Sequence, residues 1–145
     1  MQAFLQTSLV GGKDGTRFDD VFTFVIPMVD GIQITYQLAN GGTTTLNHGG
    51  QSSSAQIIKL SDDESLVGVF GRAGPQTYYK RDMINNIGFV FFNDKTDTVR
   101  TVGPFGNSNN SNEGTSFYSS NVFAFGGFAV SENALGLSGL FFYRS

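Results

Sequence analysis

Leu66-Val67-Gly68-Val69-Phe70-Gly71-Arg72-Ala73-Gly74 reads as a strand that runs into a glycine-rich bend, and Ile87-Gly88-Phe89-Val90-Phe91-Phe92 reads as the strand that answers it. β-Branched and aromatic side chains suit a pleated, half-buried surface, and glycines inside such runs permit bulges or close packing between sheets. The same relation returns at Val122-Phe123-Ala124-Phe125-Gly126-Gly127-Phe128 and Ser138-Gly139-Leu140-Phe141-Phe142-Tyr143, so the two form an internal repeat of irregular period. The paired phenylalanines can fill a core shared by several small sheets.

Upstream, residues 18–26 alternate loosely, Asp30-Gly31 is a hairpin signal, and Ile32-Gln33-Ile34-Thr35-Tyr36 returns with strict period two. Asn40-Gly41-Gly42 turns into Thr43-Thr44-Thr45-Leu46, residues 55–60 make another strand, and Ser61-Asp62-Asp63-Glu64 is a charged connection rather than a helix. A long loop is expected between Gly74 and Ile87. Glycine-rich turns stand at Gly11-Gly12-Lys13-Asp14-Gly15, at Asn47-His48-Gly49-Gly50-Gln51-Ser52, and from Gly103-Pro104-Phe105-Gly106 to Gly114. Glycine accepts positive φ and lets a ligand approach main-chain N–H groups, so such turns at the ends of a β-scaffold can bind without catalytic side chains.

Composition sets the bounds. The 145 residues, 39% hydrophobic and 14% aromatic, suffice for one core, and nothing marks a linker, so residues 1–145 read as one domain. Fifteen Phe, no Trp and 19 Gly with only 14% charged residues favour short strands and tight turns over helices. A net charge of −3 with nine scattered Lys and Arg argues against nucleic acid and against an acidic membrane surface. There is no cysteine, hence no disulfide and no thiolate metal site. No stretch of about 18 apolar residues occurs, and no signal peptide is visible at Met1-Gln2-Ala3-Phe4-Leu5-Gln6-Thr7. Membrane insertion is not expected, and the location expected is cytoplasmic or non-classically secreted.

Chemistry finds little purchase. His48 is the only histidine and lacks a patterned Ser, Cys or carboxylate partner, so neither a triad nor a multi-histidine metal site is expected. Asp19-Asp20 and Asp62-Asp63-Glu64 read as solvated turn acids rather than as glycosidase carboxylates. Gly71-Arg72-Ala73-Gly74 lacks the Lys-Ser/Thr ending of a phosphate loop. No enzyme, cofactor or metal is expected.

Five ordered pieces carry a family resemblance across nearly the whole chain: Gly11 to Asp19, Leu66 to Gly74, Ile87-Gly88-Phe89, Gly103-Pro104-Phe105-Gly106, and Gly127-Phe128 through Gly139-Leu140. Together they resemble the jacalin-related lectins. The resemblance implies an all-β fold, the β-prism I of three four-stranded Greek-key sheets with pseudo-threefold symmetry, and carbohydrate binding at one end of the prism. A single chain with the Met1-to-Val10 extension is similar to the mannose-type branch, so mannose- or glucose-containing glycans and glycoproteins are the implied partners. Family members often dimerise, which leaves a homodimer open.

The resemblance also implies where sugars bind, by a Gly-x-x-x-Asp loop facing a glycine turn. A carboxylate accepts from two hydroxyls while neighbouring backbone N–H groups donate. At the first turn Gly15 takes the donor position with Asp14 beside it, facing Asn133, Ala134 and Leu135, whereas Gly136 stands where the family carries its Asp. In the first sheet Asp30 keeps the acid, Met28 and Val29 supply N–H groups, and Ser52 and Ser53 replace the second glycine pair. In the remaining sheet Tyr78 and Tyr79 could stack on a sugar ring, Asp82 could accept from hydroxyls, and Asn85 takes the Asp-equivalent place. For each of these residues ordinary turn or loop chemistry is the competing explanation, Asp30-Gly31 above all. The alternative for the whole chain is a degenerate β-prism that contacts a protein partner and no sugar.

Overall fold

The computed structural model describes residues 17–26, 28–37, 41–49, 55–76, 80–106, 114–129 and 136–144, and all regular structure among them is strand. The order is β1 (Arg17–Ile26), β2 (Met28–Gln37), β3 (Thr43–Gly49), β4 (Ala55–Lys59), β5 (Glu64–Gln76), β6 (Arg81–Asn93), β7 (Thr98–Gly106), β8 (Thr115–Ser120), β9 (Val122–Ala129) and β10 (Leu137–Arg144). They form a sheet ordered β3-β2-β1-β4, a second ordered β7-β6-β5-β8, and a pair β10-β9. In each four-stranded sheet three hairpin-connected strands are followed by a fourth that returns beside the first, which is the Greek key. The third sheet shows two strands among the described residues, and residues 1–16 lie outside them.

Three expectations are corrected. Ile26 pairs with Met28, so the chain reverses between them, and Asp30-Gly31 lies inside β2 instead of forming the turn. Proline has no N–H to give a ladder, so the sequence carries a residue unsuited to a continuous strand before the Asp-Gly pair is reached. Second, most of the long loop after Gly74 is strand: Gly74 pairs with Met83, Pro75 with Asp82 and Gln76 with Arg81. Burial of Met83 and Ile84 holds this polar stretch in the sheet. Third, Gly103-Pro104-Phe105-Gly106 belongs to β7, with a cis peptide at Gly103–Pro104 and with Ile87 paired to Phe105. The absence of a helix at Ser61-Asp62-Asp63-Glu64 is as expected, since Glu64 already opens β5.

All three sheets face one core. The first contributes Ile32, Ile34 and Tyr36, the second Val69, Ile87, Phe89 and Phe91, and the third Ala124, Phe125, Leu137 and Tyr143. Phe89 meets Phe125 with ring centroids 5.4 Å apart, joining the second sheet to the third. The Tyr36 hydroxyl donates to the carbonyl of Phe125 at 2.5 Å, joining the first to the third, and burial pushes the Tyr36 phenol well above its usual pKa, with Tyr143 adding to the effect.

The first two sheets are clasped at one end. Arg100 on β7 donates from Nε and Nη2 to the two Glu64 carboxylate oxygens at 2.9 and 3.0 Å, and from Nη2 to the carbonyl of Lys59 on β4 at 3.1 Å. Its guanidinium lies 5.0 Å from the centre of the Phe91 ring, over the foot of the core. Burial works to raise the Glu64 pKa, but the Ser61 N–H and the Arg100 guanidinium outweigh it and hold the carboxyl below its usual value. β10 lies along β8 in the same sense, since Arg144 donates to Ser119 at this end while Ser138 and Gly139 line a groove with Ala73 and Ile84 toward the other. The end opposite the clasp therefore carries the β1–β2, β5–β6 and β9–β10 hairpin connections and the exits of β3 and β7.

Two outcomes follow from these contacts. Tyr36→Phe keeps the ring but removes the buried hydrogen bond to the Phe125 carbonyl, and is expected to lower stability by about 0.5–1.5 kcal/mol in urea unfolding. A carboxyl whose folded pKa lies below its unfolded value of 4.5 stabilises the fold above that value and loses the contribution as pH falls through the folded one. Glu64→Gln should therefore unfold at lower urea than the parent at pH 7, with the gap closing as the pH falls below 4.5 and through the lower folded value.

Candidate functional site

Each of the three hairpins gains a residue in its second strand near the connection. In the first, Thr23 pairs with Ile32 and Val25 with Val29, so Asp30 and Gly31 together oppose Phe24. In the second, Arg72 pairs with Asn86 and Ala73 with Ile84, which leaves Asn85 as the extra residue. In the third, Phe128 pairs with Gly139 and Ala129 with Leu137, which leaves Ser138. A bulge bends its strand, interrupts the ladder and re-aims a side chain, and such features gather beside functional sites. Three of them at one end of the molecule define the candidate site.

The second sheet shows this end in most detail. Asp82 is exposed on β6, whereas Asn85 is 1% exposed, so the structure separates two residues expected to act together. Asn85 Oδ1 is buried and accepts no hydrogen bond, while the residue makes other polar contacts. Glycines wrap it: a Cβ on Gly106 would lie 2.3 Å from the Asn85 carbonyl oxygen, and one on Gly114 would lie 2.9 Å from Asn85 Nδ2 and 2.6 Å from the Ala73 carbonyl oxygen. Gly106 and Gly114 also hold φ of +129° and +76°. Asn85 thus builds the foundation of the loop end, and burial keeps its side chain from a solute outside.

For the first sheet the backbone places Met28, Val29 and Asp30 at the start of β2, beside the connection. Ser52 and Ser53 lie outside the described residues, as do Tyr78 and Tyr79 of the second sheet and Asp14, Gly15, Asn133, Ala134 and Leu135 of the third. Gly136, where the family's acid would stand, is buried with φ +126°, a conformation L side chains rarely adopt. The bulge makes Ser138, which is exposed, the third hairpin's counterpart of Asn85. Spacing from Gly139 could not reveal this, because a bulge has no fixed sequence signature. Among the described residues no group of three or more His, Cys, Asp or Glu side chains could hold a metal ion.

The Jacalin-like lectin domain, as a family, matches residues 7–138 of the sequence. No curated protein matches it. Among solved structures, the mannose-binding jacalin-related lectin AcmJRL from Ananas comosus superposes with a TM-score of 0.67 at 21% identity, over 95% of this chain and 96% of that one. The Malaysian banana lectin gives 0.66 at 24%, over 94% and 95%. A mannose-specific jacalin-related lectin from Morus nigra, solved in complex with mannose, gives 0.67 at 21%, over 94% and 90%. At these identities the likeness establishes the fold, a jacalin-type β-prism.

Gly114→Ala tests the foundation around Asn85. The added methyl meets backbone on one side at a left-handed φ, and the variant should lose about 1–3 kcal/mol in denaturant unfolding.

Proposed function

The chain belongs to the jacalin-like lectin family, and we propose that this lectin domain binds mannose- or glucose-type glycans, reversibly and without chemistry, at the bulged end of the prism. The observation that carries the proposal is the convergence of all three bulges, and of the Asp30 and Asp82 backbone positions, on the end by which β3 and β7 also leave their sheets. A bulge leaves main-chain groups unpaired by the ladder, and a carboxylate beside such groups is what two adjacent sugar hydroxyls require. Relatives of the same fold described as mannose-binding, or solved with mannose, support this ligand class.

Asp30 is our principal acceptor, with the Met28 and Val29 N–H groups as donors and Ser52 and Ser53 on the facing connection. A second position centres on Asp82, with Tyr78 and Tyr79 as stacking rings. The third pairs Asp14 and Gly15 with Asn133, Ala134 and Leu135, and without an acid at residue 136 it is the weakest of the three. Asn85 supports the second position from below.

Calorimetry with methyl α-mannoside, methyl α-glucoside and methyl α-galactoside provides the test. Millimolar binding of the first two is expected, and Asp30→Ala should weaken it by tenfold or more, the equivalent of one charged hydrogen bond at about 1.5–3 kcal/mol. Asp82→Ala should have the smaller effect. Silence toward all three sugars would remove the proposal in favour of a protein-contacting prism, and unchanged affinity in both variants would remove the site assignment alone.

A further inference from the structure

The outer face of the second sheet carries an apolar band. Phe89 and Phe91 of β6 point into the core, so Val90 and Phe92 point out, as does Phe70 next to the buried Val69 on β5. The register joins these residues to one from each edge strand: Tyr118 of β8 is the direct partner of Phe70, and Val99 of β7 is the direct partner of Phe92. Val90 stands between them, opposite Gly68, which is two residues from Phe70. The band therefore crosses all four strands, and its ends are the most open, with Tyr118 63% and Val99 65% exposed.

Two features of the band suit a broad contact. A Cβ on Gly88 would lie 2.2 Å from the ζ carbon of Phe70, and one on Gly68 would lie 3.0 Å from the Tyr118 hydroxyl and 3.3 Å from a Tyr118 ring carbon, so both rings lie along the sheet over glycines instead of standing off it. The positions interleaved with the band are Ser65, Ser120 and Thr101, so its rows carry no charge. Arg72 in the next row is held by Ser116 and the Gly114 carbonyl. Uncharged aromatic and aliphatic residues in the middle with polar groups at the border have the composition of a protein contact surface.

Size decides what the face can hold. Four strands at about 4.8 Å spacing and about seven residues at roughly 3.3 Å each make a face of roughly 450 Å². Two such faces together cover about 900 Å² before rim side chains are added, close to the roughly 1,000 Å² at which specific interfaces begin and well short of the about 1,600 Å² of a standard one. That extent fits a reversible contact and not a permanent one.

We propose that this face is the contact between two copies of the chain, a weak homodimer closed by a two-fold axis. An axis lying in the interface and crossing the middle of the band sets Tyr118 of one protomer against the partner's Val99, and Val99 against the partner's Tyr118, so one contact is made twice and the assembly stops at two. Such a contact must tolerate like charge. Each copy carries −3, and the uncharged rows keep acids out of the junction, so the repulsion that remains is long-range and screened by salt. The band ends at Phe70 and Tyr118, short of the bulge beside Arg72, so the dimer does not depend on the sugar reading.

Sedimentation velocity over a micromolar to submillimolar concentration series is the test. The parent should pass from monomer to dimer with a dissociation constant of roughly 10–500 μM, and added salt should tighten it. Tyr118→Asp and, separately, Val99→Asp place a charge at the junction and should each weaken the dimer roughly tenfold or more. Ile57→Asp, at the 58% exposed residue of β4 in the first sheet, should leave it unchanged. If a variant unfolds, concentration-dependent amide shifts of the ¹⁵N-labelled parent still decide, and they are expected at Phe70, Val90, Phe92, Val99 and Tyr118. A parent that stays monomeric throughout, grows past two copies, or shifts at amides outside the second sheet overturns the proposal, as does a dimer lost in Ile57→Asp and kept in the other two variants. Calorimetry with methyl α-mannoside reads the bulged end separately, so the dimer and the sugar site can fail independently.

Discussion

Side chains in a strand alternate between faces, and the shared core of the three sheets fixes which residues must point inward. One inserted residue would turn the rest of a strand inside out unless the ladder absorbed it. β6 shows the constraint directly: Ile84 and Ile87 are both buried at an odd spacing, which an unbroken strand cannot achieve, and Asn85 is the extra residue between them. β5 solves the same problem between Leu66 and Val69 through a register shift at Val67. The loop end is therefore a consequence of the core. Bulges keep the interior in phase, and they leave irregular backbone where the connections need it.

This explains what the sequence made legible and what it concealed. Paired hydrophobic runs, Asp30-Gly31 and the glycine-rich turns pointed to repeated hairpins, and the Greek-key sheets carry them. Turn chemistry misled where a bulge could use the same residues: Asp30-Gly31 has the composition of a hairpin turn and is also well suited to a two-for-one position in a strand. At Gly74 to Asn85, polarity suggested a loop, yet Met83 and Ile84 were present in the sequence as the apolar pair that draws the segment into the sheet. A two-residue signal is too short for periodicity to register, so only cross-strand pairing reveals it.

The candidate site was legible unevenly for the same reason. The family pattern picked out Asp30 and Asn85, because in both hairpins the bulge stands at or beside the matched position. It found Gly136 in the third, where φ of +126° disfavours a side chain and the extra residue is Ser138 instead. The three hairpins share a device and differ in chemistry. One bulge carries an acid, one a buried carboxamide and one an exposed hydroxyl, so the pseudo-threefold scaffold offers unequal surfaces to a ligand.

Glycine also has a use here that its turn propensity hides. Gly88 lies under the ring of Phe70 and Gly126 under that of Phe141, each as a direct cross-strand partner, with the aromatic residue on the first strand of one hairpin and on the second strand of the other. A ring laid over a bare backbone recovers the packing that glycine cannot provide itself. A chain with 19 Gly and 15 Phe thus need not spend every glycine on reversal of direction. In the second sheet this pairing has a further effect, because Phe70 points away from the core: the glycine beneath it makes an outward aromatic ring compatible with a flat surface. The ring lies along the sheet instead of standing off it, so one cross-strand pair shapes the outer face of the second sheet.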